Sequence, residues 1–248
     1  MLSLNILFPV LNEERRLLNG IETTCRYMQE HFICNYTLTI IDNGSTDKTE
    51  EISQKLCDKY SFVHYIKTNQ KGVGIAFKTG IEKNDADIVG YMDIDLSTDI
   101  RHLSDMYSVF STKEDIEIVN ASRLNKRSNT QGRKWYRNIT SHGLAFLIRT
   151  IFHTKATDVI CGFKFFRKNT AERLINETIP DNGWFYIIEL LIRAERDNIS
   201  IYELPVTWVD DYDTTVHVKK LVIYYLKKIY ALKKQLNHDK RQFGNVCK

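Results

Sequence analysis

The residues best suited to chemistry in this sequence are two aspartates separated by a single residue. Asp93 and Asp95 follow the apolar run Ile88–Met92. Because side chains of extended backbone alternate with a period of two, both carboxylates should point the same way. Carboxylate oxygens bind Mg²⁺ and Mn²⁺, and such a cation can neutralise the charge that develops on a departing diphosphate. The pair therefore predicts a site for one divalent cation; two solvated loop acids are the alternative interpretation.

Two further polar segments lie at the end of a predicted strand and at the start of a predicted helix. Asp42–Asp47 comes after a β-branched run, and an aspartate there can accept a hydrogen bond from a nucleobase or a ribose. An Asx turn that caps a helix is the alternative interpretation. Lys71–Ala76 opens a predicted helix, where glycines let backbone approach a phosphate and the helix N-terminus attracts an anion. The sequence contains no G-x-x-x-x-G-K-[ST] phosphate loop and no dinucleotide fingerprint after its first strand.

Basic side chains after the aspartate pair could match phosphate oxygens. Arg123, Arg133 and Arg137 lie in this region, and Ser141 follows Arg137 by one helical turn. Solvated surface charge is the alternative for each arginine. The histidines show no spacing typical of metal ligands.

The pattern of apolar residues predicts the elements that must position these groups. Short apolar runs alternate with segments of helical spacing, which predicts an α/β fold with a mostly parallel sheet flanked by helices. In such sheets ligands bind beyond the carboxyl ends of the strands. The predicted strands are Leu4–Val10, Thr37–Ile41, Phe62–Lys67, Ile88–Met92, Glu117–Ala121, Gly162–Arg167 and Ile201–Trp208. The predicted helices are Asn12–His31, Thr46–Tyr60, Gly74–Lys83, Arg137–Phe152 and Trp184–Arg196.

Composition and charge exclude several classes of protein. The 248 residues are 43% apolar and 27% charged, with 11 Gly and 3 Pro, which excludes a disordered or collagen-like chain. The five cysteines form no C-x-x-C pair and are typical of reduced thiols in a cytosolic protein. No 18-residue stretch lacks charge, and the N-terminus has no signal-peptide pattern, so we expect neither a transmembrane span nor a leader.

The C-terminal segment differs in charge from the rest of the chain. Residues 216–248 contain eight Lys, one Arg and one Asp, a net charge of +8, so residues 1–215 carry −4 of the chain's +4. This distribution argues against a general nucleic-acid surface. An apolar stripe runs through the segment: Val218, Leu221, Val222, Tyr225, Ile229, Leu232 and Leu236. We predict a basic amphipathic helix that contacts an anionic membrane through residues 216–237; packing on the body or on a second subunit, as in a homodimer, is the alternative.

The order of the motifs resembles the family 2 glycosyltransferases of the GT-A fold. The similarity is greatest to the branch that contains dolichol-phosphate mannosyltransferase and the bacterial polyprenyl-phosphate glycosyltransferases. The motifs that carry it are Pro9–Glu13, Asp42–Asp47, Lys71–Ala76, Tyr91–Asp99, Ala121–Arg123, Arg137–Ser141, Asp158–Lys164, Asp181–Leu191 and Glu203–Asp211. The resemblance implies a Rossmann-like GT-A domain over residues 1–215, followed by the helical tail 216–248.

The resemblance also implies roles for individual residues. The donor site would include Pro9, Leu11, Glu13, Asp42, Asn43, Lys71, Gly74 and Asp93. Asp93, Asp95 and Ser97 would surround Mg²⁺ or Mn²⁺, and Arg123, Arg137 and Ser141 would hold an acceptor phosphate. The catalytic set would be Asp93, Asp95, Arg123, Arg137 and Glu189, with Glu189 either a sugar-facing acid or a structural acid.

The activity implied by the resemblance is an inverting sugar transfer from a UDP- or GDP-sugar to a polyprenyl or dolichyl phosphate. The enzyme would be cytoplasmic and peripheral at the cytoplasmic face of a membrane. If the acceptor is instead a saccharide hydroxyl, a base is needed, and Glu189 or Asp181 must serve. Asn43 and Thr215 depart from the family pattern, so a donor-binding protein without turnover is a further alternative. A scaffold that acts through its basic tail is another.

Overall fold

Strands and helices alternate through the first half of the chain, as the apolar pattern predicts. The computed structural model describes residues 1–179, 181–210 and 218–244. The strands are β1 (Leu4–Val10), β2 (Tyr36–Asp42), β3 (Val63–Lys67), β4 (Ile88–Met92), β5 (Ile118–Ser122), β6 (Asn129–Gln131), β7 (Phe163–Arg167), β8 (Ile201–Pro205) and β9 (Thr207–Val209). The helices are α1 (Leu17–His31), α2 (Thr49–Lys59), α3 (Val73–Glu82), α4 (His102–Thr112), α5 (Trp135–Phe152), α6 (Lys168–Glu177), α7 (Phe185–Arg196) and α8 (Val218–Gly244).

The central sheet has seven strands in the order β3-β2-β1-β4-β7-β5-β8. β1, β2, β3 and β4 pair in parallel, and so do β5 and β8. β7 lies between β4 and β5 and is antiparallel to both. The prediction of an α/β fold with a mostly parallel sheet is therefore confirmed. β4 and β5 are buried at every residue, as expected for a sheet covered on both faces.

Helices cover both faces of this sheet, and the alternation along β1 shows how. Ile6 and Phe8 belong to a core cluster that includes residues of α1, α2 and α4. Leu7, between them, belongs to a second cluster with residues of α3, α5, α6, α7 and α8. Successive side chains of one strand thus face opposite layers.

The sheet brings the polar segments to one edge. The carboxyl ends of β1, β2 and β4 lie side by side, because Val10 pairs with Asp42 and β1 and β4 run in parallel register. The amino end of β7 reaches the same edge, since Met92 pairs with Phe163 in antiparallel register. The residues that follow β1, β2, β4 and β5, and those that precede β7, therefore meet there.

Some predicted elements differ from the observed ones. The predicted helix Asn12–His31 begins only at Leu17, because Asn12 has a positive φ of 56° and Ser45 accepts a hydrogen bond from its N–H. The predicted strand Ile201–Trp208 is divided at Val206 into β8 and β9. α4, β6 and α6 were not predicted, although α4 and α6 have buried apolar residues at helical spacing, Leu103, Met106 and Phe110 in α4 and Ala171, Leu174 and Ile175 in α6.

The apolar stripe of the C-terminal helix packs on the body of the protein. Tyr225, Ile229, Leu232 and Leu236 are buried in the second core cluster, whereas Val222 is exposed. For these four residues the structure therefore shows the alternative interpretation, packing on the body. The division of the chain at residue 215 stays a prediction, because residues 211–217 lie outside the described part. No described helix is both long and apolar enough to span a bilayer.

We expect Leu232→Ala to lower the free energy of unfolding by about 2–5 kcal/mol, because Leu232 is fully buried and its removal leaves a cavity. The matched control is Leu226→Ala in the same helix, where Leu226 is exposed and the change should stay within about 0.5 kcal/mol. Denaturant unfolding of both variants measures the difference. Equal effects would mean that the helix does not belong to the core.

Candidate active site

The two aspartates sit on a tight turn at the end of β4. The Asp93 N–H donates to the carbonyl of Gly162 at 3.1 Å, which continues the pairing with β7. Leu96 has a positive φ of 54°, and its N–H donates to the Asp93 carbonyl. The Ser97 N–H donates to Asp95 Oδ1 at 2.9 Å, and Ser97 itself is buried. The turn thus holds Asp93, Asp95 and Ser97 together at the edge of the sheet.

The electrostatics of this turn fit a divalent cation. Burial and the neighbouring charge of Asp95 raise the pKa of Asp93 to about 7, and Arg123 and Lys164 only partly oppose them. A cation between the carboxylates would relieve this repulsion. In residues 1–179, 181–210 and 218–244, no cluster of three or more His, Cys, Asp or Glu could hold a metal. Two carboxylates suffice for Mg²⁺ when a diphosphate supplies further oxygens.

Gly162, the residue before β7, leaves the space that the Asp93 carboxylate occupies. A Cβ placed on Gly162 would overlap with both carboxylate oxygens of Asp93. The Asp93 carboxylate would have to move away from its position to make room for such a Cβ. The glycine is therefore a determinant of where Asp93 points.

We expect Gly162→Ala to displace the Asp93 carboxylate and to reduce any metal-dependent binding of a diphosphate to the site. Gly143→Ala in α5 is the matched control, because nothing lies within 4 Å of a Cβ at that position. The control should be neutral, or more stable by about 0.5–1 kcal/mol, since alanine is the better helix former. Isothermal titration of both variants with a nucleoside diphosphate and Mn²⁺ measures the effect. Unchanged binding by Gly162→Ala would show that Asp93 tolerates the shift.

A buried ion pair lies beside the aspartates. Nε of Arg123 donates to Asp158 Oδ2 at 2.7 Å, and Nη2 donates to Oδ1 at 3.0 Å. Burial would raise the pKa of Asp158, but the Arg123 guanidinium outweighs it and holds that pKa well below its usual range. Arg123 also stacks on the ring of Trp208 at 4.8 Å. The pair fixes Arg123 in place just after β5.

A second and a third arginine come close to Arg123. Nη1 of Arg137 donates to both carboxylate oxygens of Asp210 at 2.6 and 2.7 Å. Nη2 of Arg133 donates to Ser141 Oγ at 2.7 Å. Burial and the neighbouring charges of Arg123 and Arg137 lower the pKa of Arg133 to about 10. The guanidinium of Arg133 thus contacts the buried hydroxyl of Ser141 and lies near the charges of Arg123 and Arg137.

Arg133 differs from the other two arginines in its partners. It forms no ion pair with a described residue, and its Nη1 is buried without a hydrogen-bond partner. Carboxylates pair directly with Arg123 and Arg137, whereas Asp158 and Asp210 act on Arg133 only through longer-range attraction. A buried guanidinium nitrogen with an unused donor, next to two like charges, is suited to an anion.

Arg133 is not part of the phosphate site that the sequence predicts, which consists of Arg123, Arg137 and Ser141. The signal was present: Arg133, Arg137 and Ser141 are spaced four residues apart, which places them on one side of a helical segment. The sequence could not show that Asp210 neutralises Arg137 and leaves Arg133 without a carboxylate, because Asp210 lies 73 residues away.

The loops after β1 and β2 are joined by hydrogen bonds. The Asn12 N–H donates to Ser45 Oγ, and the Thr46 N–H donates to Asn12 Oδ1. The Glu13 N–H donates to Thr49 Oγ1. Leu11, at the tip of this double loop, is 40% exposed, which leaves an apolar surface for a planar base.

Asp42 does not project a free carboxylate into this region. Its Oδ1 accepts the N–H groups of Gly44 and Ser45 at 3.0 and 2.7 Å, and its Oδ2 accepts the hydroxyl of Tyr65 at 2.9 Å. The alternative interpretation of the sequence, an Asx turn, is the one that the structure shows. Asn43 is buried, and its Oδ1 has no hydrogen-bond partner. Oδ1 of Asn43, rather than a carboxylate oxygen of Asp42, is therefore the acceptor that remains available to a ligand.

Gly74, the second residue of α3, packs on a neighbouring loop instead of facing a phosphate. The Gly74 N–H donates to the carbonyl of Asn182 at 2.9 Å, and Asp181 and Gly183 fill the space where a Cβ of Gly74 would lie. Gly74 therefore packs closely on loop 181–183, and its N–H is not available to a phosphate. Lys71 is exposed, and its aliphatic chain passes over Gly44.

Both acids proposed as catalytic bases are held in structural contacts. Glu189 is buried; its Oε1 accepts the Ile179 N–H at 3.0 Å and pairs with Arg193 at 2.7 Å. Burial raises the pKa of Glu189. Asp181 accepts the Tyr224 hydroxyl at 2.8 Å and pairs with Lys228 at 2.9 Å, both from α8. These contacts agree with Glu189 as a structural acid. Thr215 lies outside the described residues.

Comparison with known proteins identifies what this chain is similar to. Residues 5–175 match the family model described as Glycosyl transferase family 2. Glycosyltransferase AglD of Haloferax volcanii is 27% identical over 88% of this chain, which spans about a third (35%) of AglD. The dolichyl-phosphate beta-glucosyltransferase of Dictyostelium discoideum is 27% identical over 93% of this chain and 77% of that protein. The human protein of the same name is 26% identical, with 90% and 70% covered.

Solved structures resemble the fold as well. Glucosyl-3-phosphoglycerate synthase from Mycobacterium tuberculosis in complex with UDP has a TM-score of 0.65 and 17% identity, over 89% of this chain and 75% of that chain. The same synthase with Mn²⁺, UDP and phosphoglyceric acid also has a TM-score of 0.65, with 16% identity over 89% and 73%. At this identity the likeness concerns the fold, and it confirms the GT-A architecture.

Proposed function

Because the chain belongs to glycosyl transferase family 2, we propose that it transfers a sugar from a nucleoside diphosphate sugar to a polyprenyl phosphate, with inversion at the anomeric carbon. Two of its relatives are named dolichyl-phosphate beta-glucosyltransferase, which supports a lipid phosphate as the acceptor. The observation that carries the proposal is the buried Nη1 of Arg133, which has no hydrogen-bond partner and lies near the charges of Arg123 and Arg137.

The state of the acidic residues favours a phosphate over a hydroxyl acceptor. A sugar hydroxyl must lose its proton during attack, which requires a nearby base. Asp181 and Glu189, the acids available for that purpose in the sequence, are engaged by Lys228 and Arg193. A phosphate monoester is already mostly dianionic near neutral pH, so it needs no base. The arrangement of charges is therefore suited to a nucleophile that arrives as an anion.

The residues of the arginine cluster would orient that nucleophile. Arg133 and Ser141 would bind phosphate oxygens from one side, and Arg123, fixed by Asp158, would add positive charge from the other. One phosphate oxygen then attacks the anomeric carbon. The bond from that carbon to the diphosphate oxygen breaks, and the nucleoside diphosphate leaves with the electron pair. Positioning and electrostatic stabilisation would supply most of the rate.

Asp93 and Asp95 would hold Mg²⁺ or Mn²⁺, which supplies positive charge to the leaving diphosphate. The solved relative binds Mn²⁺ or Mg²⁺ together with UDP, which supports this choice of cation and a uridine donor. Ser97 would complete the turn around the cation. Gly162 leaves room for the Asp93 carboxylate, and the charge of Lys164 favours its ionised form.

The donor nucleoside would lie on the double loop after β1 and β2. Pro9, Leu11 and Glu13 would contact the base and ribose from the first loop, and the unused Oδ1 of Asn43 would accept a hydrogen bond from the second. Lys71, exposed beside Gly44, would add a positive charge near the diphosphate. We propose that Asp42 acts on the donor only through the turn that it holds.

We propose that the protein works as a peripheral enzyme at the cytoplasmic face of a membrane. The described cysteines Cys25, Cys34, Cys57 and Cys161 are free thiols, as is usual in a reducing compartment. Nucleoside diphosphate sugars and the phosphate end of a polyprenyl phosphate would meet there.

The experiment that tests the function compares three acceptors with the same donor. We expect the purified chain with Mn²⁺ and a UDP-sugar or GDP-sugar to glycosylate a water-soluble short-chain prenyl phosphate. The matching prenyl alcohol and a free disaccharide should not react, because neither brings an anionic nucleophile to Arg133. Transfer to the disaccharide but not to the prenyl phosphate would overturn the proposal. Donor binding without any transfer would show that the chain binds a nucleotide sugar but does not catalyse its transfer.

A further inference from the structure

The outward face of α5 is apolar. Trp135, Ile139 and Phe146 are 73%, 61% and 72% exposed. They lie within about 40° of one another around a helix of 3.6 residues per turn, so they form one stripe. The opposite side of the same helix carries Ser141 and Ile148, which are buried. A surface helix of a monomer normally turns its apolar side inward. An exposed apolar stripe such as that of α5 is typical of a surface that binds a partner.

The neighbouring helix α8 has a second apolar face besides the one in the core. Ile223, Leu226 and Tyr230 are exposed and lie about 120° around the helix from the buried stripe of Tyr225, Ile229, Leu232 and Leu236. α5 and α8 pack against each other and share the second core cluster. The sequence predicted that the stripe through Tyr225 and Ile229 would contact a membrane, but that stripe is buried. Ile223, Leu226 and Tyr230, the exposed apolar residues of α8, lie on a different side of that helix.

The charges on these two helices have one sign. Residues 135–152 and 221–238 contain no Asp or Glu. Arg149, Lys227, Lys233 and Lys234 are exposed and flank the apolar residues. An apolar surface with basic residues around it is complementary to an anionic bilayer, where each basic residue adds up to about 1 kcal/mol. A symmetric contact with a second copy would instead place the same uncompensated cations opposite one another.

We propose that α5 and α8 bind the headgroup layer of an anionic bilayer through a docking face formed by Trp135, Ile139, Phe146, Ile223, Leu226 and Tyr230. This inference rests on the proposed function, because it explains how a chain without a spanning helix among its described residues reaches a lipid-bound acceptor. Arg133 lies two residues before α5, and Ser141 lies in the second turn of that helix. Because Ser141 lies on the side of α5 opposite the docking face, docking would place it and Arg133 one helix diameter, ~10 Å, from the membrane surface.

The first test is sedimentation of the full chain with vesicles. We expect the wild type to pellet with vesicles that contain phosphatidylglycerol, less at high salt, and not with pure phosphatidylcholine. Phe146→Glu and Leu226→Glu should each lower the vesicle affinity on the order of 10-fold or more, because each removes a large apolar side chain from the contact. Leu18→Glu on α1 is the matched control, since Leu18 is also half exposed but lies elsewhere. Equal pelleting of all variants would overturn the proposal.

The second test uses the tryptophan of the docking face. Trp135 is far more exposed than Trp184 and Trp208. Brominated lipids in anionic vesicles should quench the fluorescence of the wild type, and Trp135→Phe should lose that quenching while it still pellets. Quenching that persists in Trp135→Phe would place another face against the bilayer.

Sedimentation equilibrium without vesicles tests a second copy as the occupant. We expect a monomer for the wild type and for Phe146→Glu. A wild-type dimer that Phe146→Glu dissociates would assign the face to self-association and overturn the membrane proposal.

Transfer assays separate a failure of this inference from a failure of the proposed function. Phe146→Glu should transfer sugar to the soluble short-chain prenyl phosphate like the wild type, and more slowly to a long-chain acceptor in vesicles. A wild type that is active on the soluble acceptor but does not bind vesicles would overturn the docking face alone. A wild type that binds vesicles but transfers to no prenyl phosphate would overturn the function alone.

Discussion

Replacing Asp95 with Asn should reduce sugar transfer on the order of 10²–10³-fold while the protein stays folded. Asn is nearly isosteric, and its Oδ1 can still accept the Ser97 N–H that closes the turn. The change removes one negative charge from the pair that would hold the cation. We expect the Mn²⁺-dependent part of nucleoside diphosphate binding to disappear in titration calorimetry, with little change in the binding measured without metal.

The matched control is Asp115→Asn, an exposed aspartate in the loop before β5. It should change neither transfer nor metal-dependent binding. Full activity of Asp95→Asn, or wild-type activity that survives EDTA, would mean that the carboxylate pair does not act through a cation.

Arg133→Met should raise the apparent KM for the acceptor phosphate on the order of 10–100-fold and leave donor affinity unchanged. The range corresponds to the loss of one charge-assisted hydrogen bond in a desolvated site. Met keeps the aliphatic part of the side chain but has no donor for Ser141 or for a phosphate. Acceptor titrations at saturating donor measure the effect.

The stability of the same variant provides an independent readout. Arg133→Met should lower the free energy of unfolding by no more than about 1 kcal/mol, because the lost hydrogen bond to Ser141 is offset by the removal of a buried guanidinium nitrogen without a partner. Arg127→Met, in the exposed turn before β6, is the matched control and should affect neither acceptor binding nor stability. A strongly destabilised Arg133→Met would indicate a structural arginine. An equal loss of donor and acceptor affinity would place it on the donor side.

Much of the scaffold can be read from the sequence, because it depends on local patterns. β1 and β4 have the predicted bounds, Leu4–Val10 and Ile88–Met92, since a short apolar run closed by polar residues specifies a buried strand. The alternation of such runs with helical segments predicts parallel pairing, which the sheet shows apart from β7. The position of Asp93 and Asp95 beyond a strand follows from the same pattern.

The orientation of the C-terminal helix could not be read from periodicity. Its sequence is apolar on two sides: Tyr225, Ile229 and Leu232 on one, and Ile223, Leu226 and Tyr230 on the other. A helical pattern indicates that a face is apolar, but it does not say what covers it. α7 and the Asp181 loop decide the matter, because Tyr224 and Lys228 are bound by Asp181 and set the rotation of the helix.

The sequence by itself determined the layers of the fold, the edge at which polar groups gather and the carboxylate pair, because each follows from the spacing of neighbouring residues. Only the tertiary structure decided which charged groups remain available. Asp158 pairs with Arg123 from 35 residues away, and Asp210 pairs with Arg137 from 73 residues away. Arg133 has no paired carboxylate among the described residues, and its Nη1 has no hydrogen-bond partner. Whether a charge is compensated depends on distances of a few ångströms between segments far apart in the chain, since attraction between charges falls with distance and grows with burial.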